Sequence, residues 1–430
     1  MEVVSLPTAS NTKRRGSPRR RAASRRSPQK AQAQSRQDSR GKRRVRRSRA
    51  KVRTVQPRNA FQAGLLEQSK KKIDAPLLLI TVMLLVVGLI ALLSASYPKG
   101  YYSSNIGPFY YFIRQLGMAV VGLVLMWGVS CINYTMYKRW AFILYFISFV
   151  MLVLVLTPLG TTLNKSRRWL FGFQPSEIAK LAIILLFATM ASAKPESVRK
   201  VKGLLVYVAL IGVYILLLAM EPHMSASMIL IVIGFVILFV AGMHVWFLVP
   251  VGIGGGIIAV IAYFTLNHVQ ERINIFLNPF LDAKDTGYQA VQSLIAIGSG
   301  GAFGLGLGQS RQKFLYLPEP MNDFIFSVIC EELGFVGAAL ILVLFAYFVY
   351  RGFSIARRAA DRFGCLLATG ITMQFAFQIL LNLAVVSGLF PVTGASLPLF
   401  SYGGTALVMQ LVEIGILLNI SRNIPPSKKE

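Results

Sequence analysis

Acidic residues are scarce in this chain. Seventeen Asp and Glu stand against 46 Lys and Arg, and charged residues of all kinds make up 15% of 430 positions. Cysteine is rarer still. Cys131, Cys330 and Cys365 fall within or at the ends of apolar runs. They have no metal-ligand spacing and offer no outward disulfide pair, so they read as small apolar packing residues. The histidines His223, His244 and His268 are scattered, which excludes a zinc site of ordinary spacing.

What the chain does have is long apolar runs, 54% of it being hydrophobic. Ten runs of mainly apolar residues occupy roughly 75–96, 109–131, 140–160, 175–193, 203–220, 224–242, 246–266, 323–349, 363–388 and 397–420. A run of about 20 such residues crosses the ~30 Å hydrocarbon layer as a helix. The expected fold is therefore all-α and polytopic, with ten transmembrane helices. The first run begins too far from the N-terminus to read as a cleaved signal peptide.

The positive charge is unevenly placed. Residues 1–72 hold 23 Lys and Arg against 3 Asp and Glu, a net of +20, with no apolar periodicity. Such a segment cannot bury enough surface to fold and is expected to be disordered. The division is then 1–72 as a basic cytoplasmic tail, 73–422 as the membrane domain and 423–430 as a second short tail. The tail lacks the interleaved aromatics that single-strand binders use. Its Arg content is read as attraction to the anionic inner leaflet or to a cytoplasmic partner, rather than to nucleic acid. With both termini inside, thirteen basic residues fall in cytoplasmic connections and eight outside, in keeping with the positive-inside bias. The longest loop, about 267–322, then faces outward.

Charges near a membrane are costly and mark function or pairing. Four stretches bring them to the outward ends of the spans. NKSRRWLFGFQPSEIAK, residues 164–180, puts Glu177 and Lys180 on one helical face. EPHMSAS, residues 221–227, adds Glu221 and His223 from a second helix. The long loop carries Asp282 and Asp285, then Lys313, Glu319 and Asp323. LFPVTGASLPLFSYGGTALV, residues 389–408, is rich in Pro, Gly and small polar residues, Ser401 among them. Irregular backbone at that depth is tolerated only when buried in protein or lining a wet cavity. The apolar piece AVQSLIAIGSGG is too short to span and is expected to lie at the interface or re-enter. The run GSGGAFGLGLGQS has no GK[ST] ending and no strand context, which excludes a nucleotide P-loop. It reads as a hinge or close packing, with phosphate contact as the alternative. Glu331, Glu332 and Glu413 lie deeper and read as buried pairing between helices, or as coupling to a partner helix.

RRWLFGFQPSEIAK, NPFLDAKDTGYQAVQSLIAIGSGG, GLGLGQSRQKFLYLPEPMNDFIFSVICEELGFVG and GLFPVTGASLPLFSYGGTALV, in this order, resemble the SEDS family of FtsW, RodA and SpoVE. The resemblance covers residues of about 75–420, and EPHMS is similar to the FtsW and SpoVE type. It implies a peptidoglycan glycosyltransferase that polymerises lipid II, as donor and acceptor, at the outer face of the cytoplasmic membrane during septum synthesis. The partners it implies are a class B penicillin-binding protein and the divisome. It implies Asp282 as the essential carboxylate, with Asp285 standing where others have Gly. His223 stands where many relatives have Asp, so Lys180 is expected to pair with Glu221 or Glu177 instead. The rival readings are a lipid II flippase and a non-catalytic scaffold.

A carboxylate suits deprotonation of a sugar hydroxyl. Cations suit a departing lipid diphosphate, and Arg114, Arg167, Arg168, Lys180, Arg311 and Lys313 are the candidates. Trp169 is an interfacial anchor or a platform for a sugar ring. Glu177, Glu221, Glu319, Asp323 and Ser401 complete the expected substrate site. No metal ligand set is legible, although a divalent cation such as Mg or Mn could share the diphosphate charge.

Overall fold

The computed structural model describes residues 72–425, apart from 104–106, 164–165, 222, 266 and 281–286. The basic tail and both Asp282 and Asp285 lie outside the described residues. In chain order the helices are α1 (Ala75–Tyr101), α2 (Tyr110–Cys131), α3 (Tyr137–Leu156), α4 (Pro175–Ala193), α5 (Val201–Met220), α6 (Met224–Val240), α7 (Leu248–Thr265), α8 (Asn267–Leu277), α9 (Tyr288–Ser299), α10 (Ile325–Arg358), α11 (Arg362–Val386) and α12 (Gly404–Arg422). A hairpin of β1 (Gly160–Leu163) and β2 (Ser166–Leu170) separates α3 from α4.

Among the described residues, eight helices are long and apolar enough to cross a membrane, and α6 and the start of α7 are shorter apolar helices. The chain is a multi-pass membrane protein. In α4, α11 and α12, 72–78% of the most apolar stretch is buried, against 22–39% in α1, α2, α3, α5 and α10. The first three therefore form the centre and the others shield them. Lipid tails supply no hydrophobic drive between helices, so close van der Waals fit must hold them. At Gly415 of α12 the backbone of α2 comes so near that an added Cβ would lie 2.5 Å from the Met126 carbonyl oxygen.

Helix starts follow local rules. Pro175 occupies the first turn of α4, where its missing N–H costs nothing. Asp74 caps α1 by accepting from the Leu77 N–H, and Asp361 caps α11 by accepting from Gly364.

α10 is broken near its start. Gly334 has φ 64° and ψ −168°, outside helical geometry and in a region that favours glycine. The chain after α9 lies in the break. Leu305 and Gly306 donate N–H groups to the Glu331 and Glu332 carbonyls at 3.0 Å each. Phe335 and Val336 donate to the Gly301 and Ala302 carbonyls at 2.9 and 3.0 Å. The backbone groups freed by the break are thus satisfied in protein. The glycine-rich run is close packing: a Cβ at Gly304 or Gly334 would overlap the facing backbone.

The side chains at the break fix the following residues. The Glu331 carboxylate accepts from the backbone N–H of Arg311 at 2.8 Å and from the Ser310 hydroxyl. Glu332 pairs with Lys313 at 2.8 Å, both 3% exposed, and Ser94 hydrogen-bonds to each. The depth of these acids was expected: Glu331 binds the segment after α9, Glu332 binds that segment and Ser94 of α1, and Glu413 of α12 accepts from Gln374 of α11.

The irregular stretch between α11 and α12 is held by amide side chains. Asn382 donates to the Asp323 and Ala395 carbonyls at 2.7 Å each, and Gln378 to the Ser396 carbonyl at 3.0 Å. The Ser401 hydroxyl accepts from the Leu397 N–H and donates to the Asn322 carbonyl.

Candidate functional site

A cavity of about 660 Å³ opens at one end of the bundle. Its walls come from the outer turns of α1 and α2, the hairpin, the starts of α4 and α6, α8, the segment before α10, and residues 392–406. Polar groups converge here because each element ends at this level.

Arg168 and Trp169 on β2, Glu177 and Lys180 on α4, and Glu319 and Asp323 before α10 all line the cavity. Six of the expected site residues are thus brought together. Glu221 lies behind Arg168, whose Nε donates to the Glu221 carbonyl at 3.5 Å. Lys313 and Ser401 do not line the cavity. Lys313 is a buried partner of Glu332, and Ser401 ties backbone segments together. Their pattern at the sequence level, polar residues in Gly-rich loops, is shared by ligand-binding and by backbone-holding groups. Arg167 and Arg311 are exposed and outside the lining.

Lys180 is 2.8 Å from Glu177, one turn earlier, and donates to the Gln378 side chain at 3.3 Å. Glu177, and not Glu221, is therefore its carboxylate partner. Both side chains are under 10% exposed, so the pair is one unit that a ligand meets from the cavity side.

Glu221 is 1% exposed, and among the described residues neither carboxylate oxygen has a hydrogen-bond partner. Burial pushes its pKa up to about 8, against the pull of Arg168. It is mainly the neutral acid at pH 7. Its folded-state value lies above the usual 4.5, so the folded chain binds more protons across the interval between the two. The stabilisation is complete below about 4.5 and is lost as pH rises through about 8. Thermal melting of wild type and Glu221→Gln from about pH 5 to about pH 9 checks this. The wild type is expected to lose stability with rising pH, and the variant to lose less. Parallel curves would contradict a buried neutral Glu221.

His223 is likewise buried, and among the described residues its Nδ1 has no hydrogen-bond partner. Burial, then Arg168 and Lys180, hold its pKa well below the ordinary range, so a neutral imidazole lines the cavity. Burial, then Glu319, raises the Asp323 pKa to about 6, opposed by Arg168. Among the described residues no group of three His, Cys, Asp or Glu side chains could hold a metal ion.

Several lining residues escaped sequence reasoning. Arg272 on α8 donates to the Val392 carbonyl at 2.8 Å and lines the cavity. Gln378, Gln289, Lys99 and Tyr402 do so too. A signal for Gln378 existed: Gln374, Gln378 and Asn382 recur every four residues in an otherwise apolar run. Arg272 had only its place in a charged loop.

The fold and this site define a multi-pass helical protein with a charged, semi-enclosed chamber at one membrane face. Residues 75–425 match the FTSW_RODA_SPOVE family, described as cell cycle protein. Stage V sporulation protein E of Bacillus subtilis is 40% identical over 358 residues, covering 81% of this chain and 97% of that protein. A probable peptidoglycan glycosyltransferase FtsW of Trichlorobacter lovleyi is 40% identical over 361 residues, 82% of this chain and 93% of that one. Among solved structures, a chain from a peptidoglycan synthase complex that coordinates polymerization and crosslinking superposes with TM-score 0.70 at 26% identity. It covers 82% of this chain and 99% of that chain. The rod shape determining protein RodA of Thermus thermophilus superposes at 0.60 with 26% identity, covering 83% and 99%. The chain belongs to the FtsW/RodA/SpoVE family.

Proposed function

We infer that the cavity is where lipid-linked sugars are joined. The chain is a peptidoglycan glycosyltransferase of cell division, and its substrate in this reading is lipid II. The observation that carries the reading is the meeting of Arg168, Lys180 and Arg272, from three separate elements, in one cavity of an otherwise apolar bundle. Such a group stabilises a diphosphate as its charge develops.

Arg272 and Gln289 both line the cavity, and Asp282 lies between them in the chain. This supports Asp282 as the general base. Its carboxylate takes the proton from the acceptor hydroxyl. The hydroxyl oxygen bonds to the anomeric carbon of the donor. The bond from that carbon to the diphosphate oxygen breaks, and its electron pair leaves with the diphosphate. Glu177 holds Lys180 in this group, and the neutral His223 lines the chamber beside it.

In this reading the chain has ten spans with both termini in the cytoplasm, and the chamber opens at the outer face. The apolar runs and the basic loops support that arrangement. On the same reading the chain works at the septum beside a class B penicillin-binding protein; the similar chain from a complex that coordinates polymerization and crosslinking supports a crosslinking partner.

The test is glycan polymerisation from lipid II by the purified protein, with and without its cognate class B penicillin-binding protein. Long strands on a gel are expected. Transfer of lipid II between vesicle leaflets, with no strands from an intact complex, would overturn the reading in favour of a flippase.

A further inference from the structure

The turn that leads from β2 into α4 is strained and bare. Leu170 and Phe173 exchange two backbone bonds, each N–H donating to the other's carbonyl, at 2.8 and 2.9 Å. The two residues between them, Phe171 and Gly172, both have positive φ, 50° and 80°. This is the two-residue hairpin turn that Asn-Gly ordinarily fills. Gly172 takes that geometry freely, but a bulky aromatic residue takes it at a cost. Contacts within the protein do not offset that cost. Phe171 is 75% exposed, and a Cβ added at Gly172 would meet nothing within 4 Å. Strain of this kind, held without packing, points to a use outside the fold.

Two more apolar side chains stand at the turn. Phe173 is 52% exposed and Leu159 is 53% exposed. Gly160 pairs with Leu170 across the hairpin, so Leu159 comes opposite Phe171. Leu170 itself is buried. The place of this patch says what covers it. α3 has 20 residues and α4 has 19. Each therefore spans about 30 Å and ends where the hydrocarbon layer ends. Leu159 follows the last residue of α3 by three positions, and Phe173 precedes the first of α4 by two. An extended residue reaches at most about 3.6 Å, so the patch lies within roughly 11 Å of the edge of that layer. This is the interfacial zone, where apolar aromatic side chains find lipid in place of water. The same hairpin lines the chamber through Thr161, Arg168, Trp169 and Gly172.

We propose that Leu159, Phe171 and Phe173 form a lipid-binding wedge that seats the hairpin in the phospholipid leaflet at the mouth of the chamber. Phe171 is its tip, and the positive φ at that position is what turns the ring out of the protein. The wedge is a positioning device: it fixes the height of β2, and so of Arg168 and Trp169, relative to the membrane surface. That consequence rests on the glycosyltransferase reading, in which the sugars arrive from the same leaflet on lipid carriers. The lipid contact itself does not rest on it.

The experiment uses the full chain in vesicles of phosphatidylethanolamine and phosphatidylglycerol, with bromine placed either high or low on the acyl chains. Phe171→Trp adds one fluorophore, read as the difference from wild type. Its emission is expected to be quenched strongly by the high bromines and weakly by the low ones. Unquenched emission would put the turn in water and overturn the proposal. Loss of the quenching when a penicillin-binding protein is added would overturn it as well, by giving the patch to a protein partner. In parallel, Phe171→Asn fits the turn without strain, so its melting temperature in detergent is expected to equal or exceed that of wild type. Its polymerisation of lipid II in vesicles is expected to fall about tenfold, as loss of one seated aromatic ring implies, and Phe171→Trp to keep most of the rate. A lower melting temperature for Phe171→Asn would make Phe171 a packing residue, and full activity would remove the positioning role. Absence of strands from the wild type would sink the enzyme reading and leave the quenching result standing.

Discussion

Asp282→Asn is expected to stop glycan polymerisation while leaving the protein folded and bound to its partner. Asparagine keeps the size and hydrogen-bonding shape of aspartate but cannot take a proton. If Asp282 is the base, the rate falls by the share that general-base assistance supplies, about 10²–10⁴-fold. The same change at Asp285 is expected to leave most of the rate. Strand formation from lipid II by both variants, with melting temperature and partner co-purification as controls, decides between them. Equal rates for wild type and Asp282→Asn would move the chemistry to another carboxylate. Asp323 would then be the next candidate, since it lines the cavity and burial, then Glu319, raises its pKa to about 6, with Arg168 opposing.

Glu332→Ala is expected to be the most damaging change away from the cavity. Glu332 and Lys313 are 2.8 Å apart and each 3% exposed, so removal of one leaves the other as an uncompensated buried charge. Breaking such a pair costs about 3–5 kcal/mol, a large part of the stability of a typical domain. The loss extends to Ser94 and Ser310, which also bond to Glu332. Melting monitored by size-exclusion chromatography in detergent is expected to show an unstable or aggregated variant. The double change Glu332→Leu with Lys313→Met is expected to recover most of the loss, because it removes both charges together. A single variant as stable as wild type would show that the pair contributes little.

Much of the bundle was legible because long apolar runs have few alternatives. All ten apolar runs coincide with helices. Their ends were less certain. The run at 323–349 continues as helix to Arg358, since Arg351, Arg357 and Arg358 extend it without being apolar. The hairpin at Gly160–Leu170 was missed, because strands of four and five residues leave little pattern to read. The long loop concealed α8 and α9. The apolar piece of α9 packs against α10, with Ser293 bonded to Ser327 and to the Val386 carbonyl.

At the site, the sequence revealed charged residues at the span ends, but not which of them meet. Glu177 and Lys180 were legible as a pair because helical spacing is local. Glu319 and Asp323 entered as candidates through position alone. Lys313 had the same credentials and proved structural, since its partners Ser94 and Glu332 lie 219 and 19 positions away. Arg272 became visible only through its contact with Val392, 120 positions on.

The break at Gly334 sets where the chain tolerates changes in length. Leu305 and Gly306 are bonded to Glu331 and Glu332, so residues 307–330 form a ring closed at its base. Adding a residue to an exposed part of that ring, such as Phe314–Tyr316, opens one local turn, in which Leu317 donates to the Gln312 carbonyl, and leaves the base of the ring closed. Doubling a loop costs about 0.6 kcal/mol of closure entropy. One residue added between Gly301 and Gly306, or between Glu331 and Val336, shifts the register of four backbone bonds at once and sets a side chain where only glycine fits. Insertions and deletions in this part of the protein should therefore collect inside the ring and stop sharply at its base.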